Sequence, residues 1–439
     1  MKKVALISLG CAKNLVDSEV MIGLLEEKSY ESVAHLAEAD VIVINTCGFI
    51  DPARRESLDF IRQALQEKKR YRGKKVIVAG CYVQRSRTAL QESFPEVDAW
   101  IGVNDFDKIA YAAEGHPYEN SESCFLYDHS SPRKISTPLA WTYVKISEGC
   151  SHKCSFCSIP LIKGSYRSRS ISSITREVER LVASGVKEIN LVSQDSTAFG
   201  SDQKMKEGLV RLLEELLKIK NLEWIRILYS YPEEVSDSFL EIIREAKICS
   251  YLDIPFQHSH PFIIKKMRRG LDGKKSMKLL EKIRKKVPEI AIRTSVVVGF
   301  PGEGKKEFDD LHAFVTTACF DHLGVFTYSL EEGTDCFRLG DPIKNRVKRR
   351  RKEKIMELQA EISFENNKKY KNQKIEVLIE GTLKQAPHVM VGRGEFQAPE
   401  VDGVILIASG ERKPEIFNSI QKVEITNTDV YDLQGDLVR

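Results

Sequence analysis

No stretch of this 439-residue chain approaches the roughly 18 consecutive apolar residues that a membrane helix needs. Internal repeats and low-complexity tracts are missing too. The first apolar run, Val4 to Leu9, gives way at once to Gly10-Cys11-Ala12-Lys13-Asn14. It lacks the longer apolar segment and small-residue cleavage site of a secretory leader, so it reads as a first strand. Tail signals for lipid attachment are likewise missing. The expectation is a soluble, cytoplasmic protein with no membrane partner. One-sided charge is scarce: 67 Lys and Arg stand against 63 Asp and Glu, a formal +4 that by itself says little.

The distribution of charge says more. Residues 344–371 hold eleven Lys and Arg against four Glu, a net of +7, whereas residues 372–439 hold seven against eleven acids, a net of −4. The basic stretch taken alone reads first as a solvated helix face. The acidic tail would repel a phosphate backbone and suit a cationic protein surface, with Glu376, Glu380, Glu395, Glu400 and Asp402 as its candidate contacts.

Length favours two or three domains. Up to about Gly115, apolar runs bounded by turns alternate with amphipathic stretches: Val4 to Leu9 then Leu15 to Glu27, Val41 to Asn45 then Pro52 to Lys69, Val76 to Ala79 then a further helix. This predicts an open, mostly parallel α/β sheet. Residues Glu119 to Pro138 are rich in Ser, Pro and charge, as linkers are. A second alternation places strands at Thr142 to Ile146, Glu188 to Val192, Trp224 to Leu228, Tyr251 to Pro255, Ile292 to Val298 and Leu323 to Tyr328. Six βα units predict a full or partial barrel with its chemistry at the strand C-terminal ends. A charged helix with Ile355, Leu358 and Ile362 on one stripe then leads to short strands that read as a small β-barrel.

Cysteine is not scarce. Ten residues, unevenly spaced and without a secretory signal, point to metal or redox chemistry before disulfides. Cys150, Cys154 and Cys157 form C-x3-C-x2-C at the end of the first barrel strand. Three thiolates so spaced can hold three irons of a 4Fe-4S cluster and leave the fourth open for chemistry. A zinc knuckle or a redox pair is the plain alternative, although zinc normally takes a fourth Cys or His and His152 lies awkwardly inside the triplet. Cys11, Cys47 and Cys81 each directly follow a strand of the N-terminal sheet, where carboxyl ends converge on one crevice. Gly10, Gly48 and Gly80 flank them and allow close backbone approach. Against this stands the reading of three unrelated buried thiols. Cys124, Cys249, Cys319 and Cys336 have no such context and are taken as ordinary residues.

The barrel triplet, with Phe156 before its last cysteine, resembles the radical S-adenosylmethionine (SAM) superfamily. Leu9 to Glu19, Asn45 to Ile50 and Gly80-Cys81 resemble the methylthiotransferase family within it, over almost the whole chain. The Gly-Cys-x-Lys-Asn opening is similar to the branch that modifies a ribosomal-protein aspartate. The resemblance implies an N-terminal methylthiotransferase domain (1–116), a linker (117–138), a radical SAM barrel with its following helix (139–370) and a TRAM domain (371–439). It implies two 4Fe-4S clusters, one on Cys11, Cys47 and Cys81 and one on Cys150, Cys154 and Cys157. It also implies two roles for SAM, methyl donor and radical source, with Gly299 and Gly302 of Val298-Gly-Phe-Pro-Gly-Glu303 beside the nucleoside. Gly304 stands where relatives often have Thr, so the following helix lacks that cap.

The implied reaction adds a methylthio group to the β-carbon of an aspartate in the twelfth small-subunit ribosomal protein, free or on the small subunit. A reductant protein and a sulfur donor are implied partners. The nearest alternative is a tRNA adenosine methylthiotransferase. A more distant one is a non-catalytic iron-sulfur carrier or RNA-binding protein.

Overall fold

A computed structural model describes residues 1–118, 125–408 and 414–438. The N-terminal unit runs β1 (Lys2–Ser8), α1 (Ala12–Glu27), β2 (Tyr30–Ser32), β3 (Val41–Thr46), α2 (Asp51–Arg70), β4 (Lys75–Gly80), α3 (Cys81–Ser93), β5 (Ala99–Ile101) and α4 (Ile109–Glu114). Its strands are all parallel in the order β2-β1-β3-β4-β5. Every residue of β3 is buried, as a central parallel strand covered on both faces must be. The crevice therefore opens above β1, β3 and β4, where the expected cysteines lie.

The second unit runs β6 (Trp141–Lys145), β7 (Ser147–Glu148), α5 (Ile159–Lys163), β8 (Arg167–Ser168), α6 (Ile171–Ala183), β9 (Glu188–Val192), α7 (Gly208–Leu217), β10 (Trp224–Ile227) and α8 (Asp237–Ile242). It continues through β11 (Tyr251–Asp253), α9 (Pro261–Met267), α10 (Gly273–Lys286), β12 (Ala291–Val298), α11 (Lys305–Ala318), β13 (His322–Thr327) and α12 (Asn345–Asn367). Six of these strands form two parallel sheets, β6-β9-β10 and β11-β12-β13, joined through a parallel bridge from Ile225 to Ile248. Among the described residues β6 and β13 do not pair, so the barrel is partial. Side chains alternate across it. Val144, Ile189, Ile225, Leu252, Val296 and Val325 pack under the helices, each worth roughly 1.5–3 kcal/mol on burial. The opposite parity, including Tyr143, Asn190, Arg226 and Arg293, faces the lumen.

The tail runs β14 (Lys374–Leu383), β15 (Ala386–Arg393), β16 (Ile405–Ala408), β17 (Ser419–Thr428) and β18 (Leu433–Leu437), closed in the order β14-β15-β16-β18-β17. It plugs the floor of the large barrel. Its residues 394–402 reach the N-terminal ends of the barrel strands: Arg226 donates to Glu395 O, His322 meets Phe396 O at 2.8 Å, and Tyr251 donates to Asp402 Oδ2 at 2.7 Å. Buried Glu188 at the start of β9 holds both Arg226 (2.8 Å) and Arg393 (2.5 Å).

This corrects the reading of the tail as a cationic-protein surface for three of its five candidate acids, while Glu376 and Glu395 remain exposed. Glu380 is bound to Arg393, Glu400 accepts from Tyr143 at 2.9 Å, and Asp402 is buried against Arg293. Net charge counted these acids as surface; the fold uses them as a joint. The presumed linker also differs in character. Residues 125–138 form a packed strap, with buried Arg133 holding Glu19 (2.6 Å) and Glu177 (2.8 Å) and Ser136 donating to Glu19. Cys124 lies outside the described residues. Cys249 and Cys336 are buried and Cys319 is exposed; Cys336 packs against the loop that carries Cys154 and Cys157.

Candidate active site

Cys11 precedes α1, Cys47 follows β3, and Cys81 opens α3 directly after β4. Three neighbouring strand ends thus bring them together. One side chain ties the three ends: Asn14 Nδ2 donates to Leu9 O (2.9 Å) and Thr46 O (3.1 Å), and its Oδ1 meets Cys81 Sγ at 3.5 Å. Asn45 in turn donates to Asn14 O and Ser18 Oγ, both at 2.9 Å. Gly10 has φ +95°, and a Cβ there would lie 2.8 Å from Cys47 Cβ; glycine lets these two strand ends meet. Burial pushes the Cys47 and Cys81 thiols up, Cys81 far above its ordinary value despite Lys163 nearby.

The second triad sits on the loop after β7. Gly149, at φ +82°, lies so close to Ser165 O that a Cβ would approach it to 2.2 Å. Cys150 N donates to Gly164 O (3.1 Å), Ser155 N to Met267 O (3.1 Å), and Cys336 N to Ser155 O (2.9 Å). The loop is therefore fixed from three sides. Arg269 reaches Cys154 Sγ at 3.8 Å and stacks over Tyr231 at 4.0 Å. Burial raises Cys150 to about 11 and Cys157 to about 12. His152 turns away to Asp195 (2.6 Å) and stacks on Tyr231 at 3.7 Å. A cavity of about 350 Å³ opens beside it, walled by Tyr166, Thr197, Phe199 and Met205.

Among the described residues no three His, Cys, Asp or Glu side chains close around one ion. Each triad is gathered rather than closed, and neither Cys249, Cys319 nor Cys336 supplies a fourth thiol. Three thiols per site, with burial opposing the ionisation of Cys47, Cys81, Cys150 and Cys157 until a metal compensates, fit a cluster in which each thiolate takes its own iron.

A buried charge network joins the two sites. Lys145 holds Asp17 and Glu148, the latter at 2.7 Å, while Lys163 lies 3.2 Å from both. Asp17 follows the first cysteine of one triad, and Glu148 and Lys163 bracket the other. Gln194 completes Glu148 at 2.6 Å. On the far side, Arg54 and Arg85 (2.6 Å) from α2 and α3 hold Glu331 beyond β13. The N-terminal unit thereby spans the unpaired seam and caps the mouth of the barrel.

Gly299 and Gly302 lie where the sequence placed them, at the end of β12. The space a Cβ would take at Gly299 is filled by Lys348 of α12 at 2.4 Å, and at Gly302 by Lys266 at 2.8 Å. Glu303 braces this turn, accepting from Gly299 N (2.8 Å) and Arg351 (2.7 Å). At Gly304 no side chain caps α11; Glu307 alone reaches back to Gly304 N at 2.9 Å. Sequence reading missed the roles of Asn14, Asp17 and Glu148. The signal was there: α1 buries Asn14, Asp17, Ser18 and Glu19, polar residues on a face that ordinary packing makes apolar.

Three family models match the chain: the uncharacterized protein family UPF0004 over residues 3–102, the radical SAM superfamily over 144–315 and the TRAM domain over 373–438. A protein of Solibacter usitatus named ribosomal protein uS12 methylthiotransferase RimO is 43% identical, covering 99% of this chain and 95% of its own length. One of the same name from Pelobacter propionicus is 42% identical over 99% and 98%. Among solved structures, the radical SAM methyltransferase TsrM of Kitasatospora setae superposes with TM-score 0.56 at 15% identity, covering 74% of this chain and 73% of that one. That likeness concerns the fold alone.

Proposed function

Because the chain belongs to the RimO family of ribosomal protein uS12 methylthiotransferases, we propose that it adds a methylthio group to the β-carbon of a uS12 aspartate. Iron-sulfur and SAM chemistry comes with its radical SAM domain. The finer assignment is two 4Fe-4S clusters, on Cys11, Cys47 and Cys81 and on Cys150, Cys154 and Cys157. When bound, these groups and SAM supply an electron, a methylthio group and a radical able to take hydrogen from an unactivated C–H bond. The protein's part is placement. Asn14 and the glycines hold one set of thiols, the pinned loop after β7 holds the other, and the Asp17-Lys145-Glu148-Lys163 network locks their separation. Gly299 and Gly302 are assigned to the SAM side through their backbone, since their Cβ sides are filled.

The observation that carries this reading is the pair of thiol triads facing one barrel mouth in a chain with full-length relatives of that name. The domain bounds 1–116, 139–370 and 371–439, with 117–138 between, go with it and are supported by the three family matches. A reductant protein and a sulfur donor belong to the same reading. So does a cytoplasmic location: among the described residues no helix is long and apolar enough to cross a membrane. A ribosome-bound substrate is favoured by α12, where Arg346, Arg349, Arg350, Lys352 and Lys354 are exposed and, among the described residues, enter no ion pair. Cations near a helix N-terminus oppose its dipole, and phosphate would offset that cost.

Mass spectrometry of uS12 and of tRNA from cells lacking the gene tests the reading. The expected result is loss of the methylthio mass from uS12 alone. Loss of methylthioadenosine from tRNA, with uS12 still modified, would give the tRNA alternative its place.

A further inference from the structure

The buried cations around the N-terminal triad each hold a carboxylate: Lys145 and Lys163 share Asp17 and Glu148, and Arg85 holds Glu331. Lys13 does not. Two residues beyond Cys11, its Nζ lies 3.4 Å above the centre of the Tyr229 ring, and among the described residues no acid comes within ion-pair distance of it. Glu148, the carboxylate that acts on it from farther away, is already taken by two lysines and Gln194.

Tyr229 is held for this contact. It lies just beyond β10, its backbone N donates to Asp253 Oδ2 at 3.1 Å, and its φ is +63°, a conformation uncommon for a bulky residue and worth noting where it occurs. Lys13 and Tyr229 are enclosed by protein, yet both keep accessible surface. Phe326, on the lumen side of β13, is 49% exposed, and Val401 of the floor loop is 52% exposed. Cys11 and the aromatic face support the cation there, but it has no carboxylate of its own.

Resting on the uS12 reading, we propose that Lys13 binds the side-chain carboxylate of the target aspartate, with Tyr229 as the platform under the ammonium. That carboxylate is one bond from the β-carbon. Fixing it therefore fixes the reacting carbon beside Cys11, Cys47 and Cys81. An asparagine in its place would bring an uncharged amide, with N–H groups that clash with an ammonium donor, so the same contact selects aspartate.

The test is equilibrium binding of purified uS12, with either Asp or Asn at the modified position, to the full-length, anaerobically reconstituted protein. Wild type should prefer the Asp form roughly 10- to 100-fold, the range spanned by a charge-assisted hydrogen bond. Lys13→Met should bind both forms equally and weakly, and Lys13→Arg should restore the preference, with iron content and circular dichroism checking each variant's fold. A preference for Asp that persists in Lys13→Met would overturn the proposal, as would equal binding of the two forms by wild type. If wild type bound neither form but bound a tRNA anticodon stem-loop, the substrate reading itself would fall, and the proposal with it.

Discussion

The two thiol triads are gathered by opposite routes. Cys150, Cys154 and Cys157 occupy eight consecutive positions on one loop, so their nearness is largely local. Cys11, Cys47 and Cys81 span 71 positions and meet only because β1, β3 and β4 are neighbours in a folded sheet. The first is a property of a segment, the second of a tertiary structure. A site of the second kind depends on residues outside the triad, and Asn14, tied to all three strand ends, is one of these.

The largest expected effect separates the triads outright. Fully loaded protein should hold about eight irons, and alanine at Cys150, Cys154 and Cys157 should remove about four of them and all SAM cleavage. Alanine at Cys11, Cys47 and Cys81 should remove the other four and end methylthio transfer, while 5'-deoxyadenosine still forms. Loss of both sets from either triple variant would mean the sites are one unit.

Next comes the joint between them. Burial alone would push the Glu148 carboxyl up, but Lys145 and Lys163 outweigh it and hold it well below the usual carboxylate range. A depressed folded value gives stability that is present above the unfolded value near 4.3 and lost as pH falls below it. Glu148→Gln should therefore cost about 3–5 kcal/mol at neutral pH, as broken buried pairs do. It should also flatten the acid limb of a denaturation-midpoint-versus-pH curve. An unchanged acid limb would show that the network is not what joins the sites.

A smaller effect is expected at Asn14→Ala, about 1–3 kcal/mol from two orphaned carbonyls. Iron should become labile to chelator at the N-terminal triad only, read as a biphasic release. Equal lability at both sites would erase the distinction between local and tertiary assembly. The smallest effect is at Cys319→Ser, which should alter neither iron content nor stability beyond about 0.5 kcal/mol.

Much of this was legible in the chain. The five barrel strands from Glu188–Val192 onward and the long helices announced themselves through period and β-branching. Both thiol triads fell at strand or loop ends as expected. The short β2 and β5, three residues each, carry too little pattern to register, and β18 hides behind Gln434, Gly435 and Asp436. Three of the tail's acids, Glu380, Glu400 and Asp402, were misjudged for a different reason. Charge is countable from composition, but whether a carboxylate meets water or an arginine is decided by docking, and Asp402 meets Arg293. Asn14 and Lys13 stood in view inside the Gly10–Asn14 motif, yet only the assembled sheet gives each something to hold.

The plug of residues 394–402 in the barrel floor bears on how the molecule is made. Domains tend to fold in order as a chain leaves the ribosome, but here Tyr251 and Arg293 wait for Asp402, about 110 to 150 positions downstream, and the Glu188–Arg226 pair is completed only by Arg393 and Glu395. Until the tail emerges, the nascent barrel has an open, charged base. A chain cut short by a premature stop therefore leaves translation with an unfinished core, a substrate for proteases rather than a partly working enzyme.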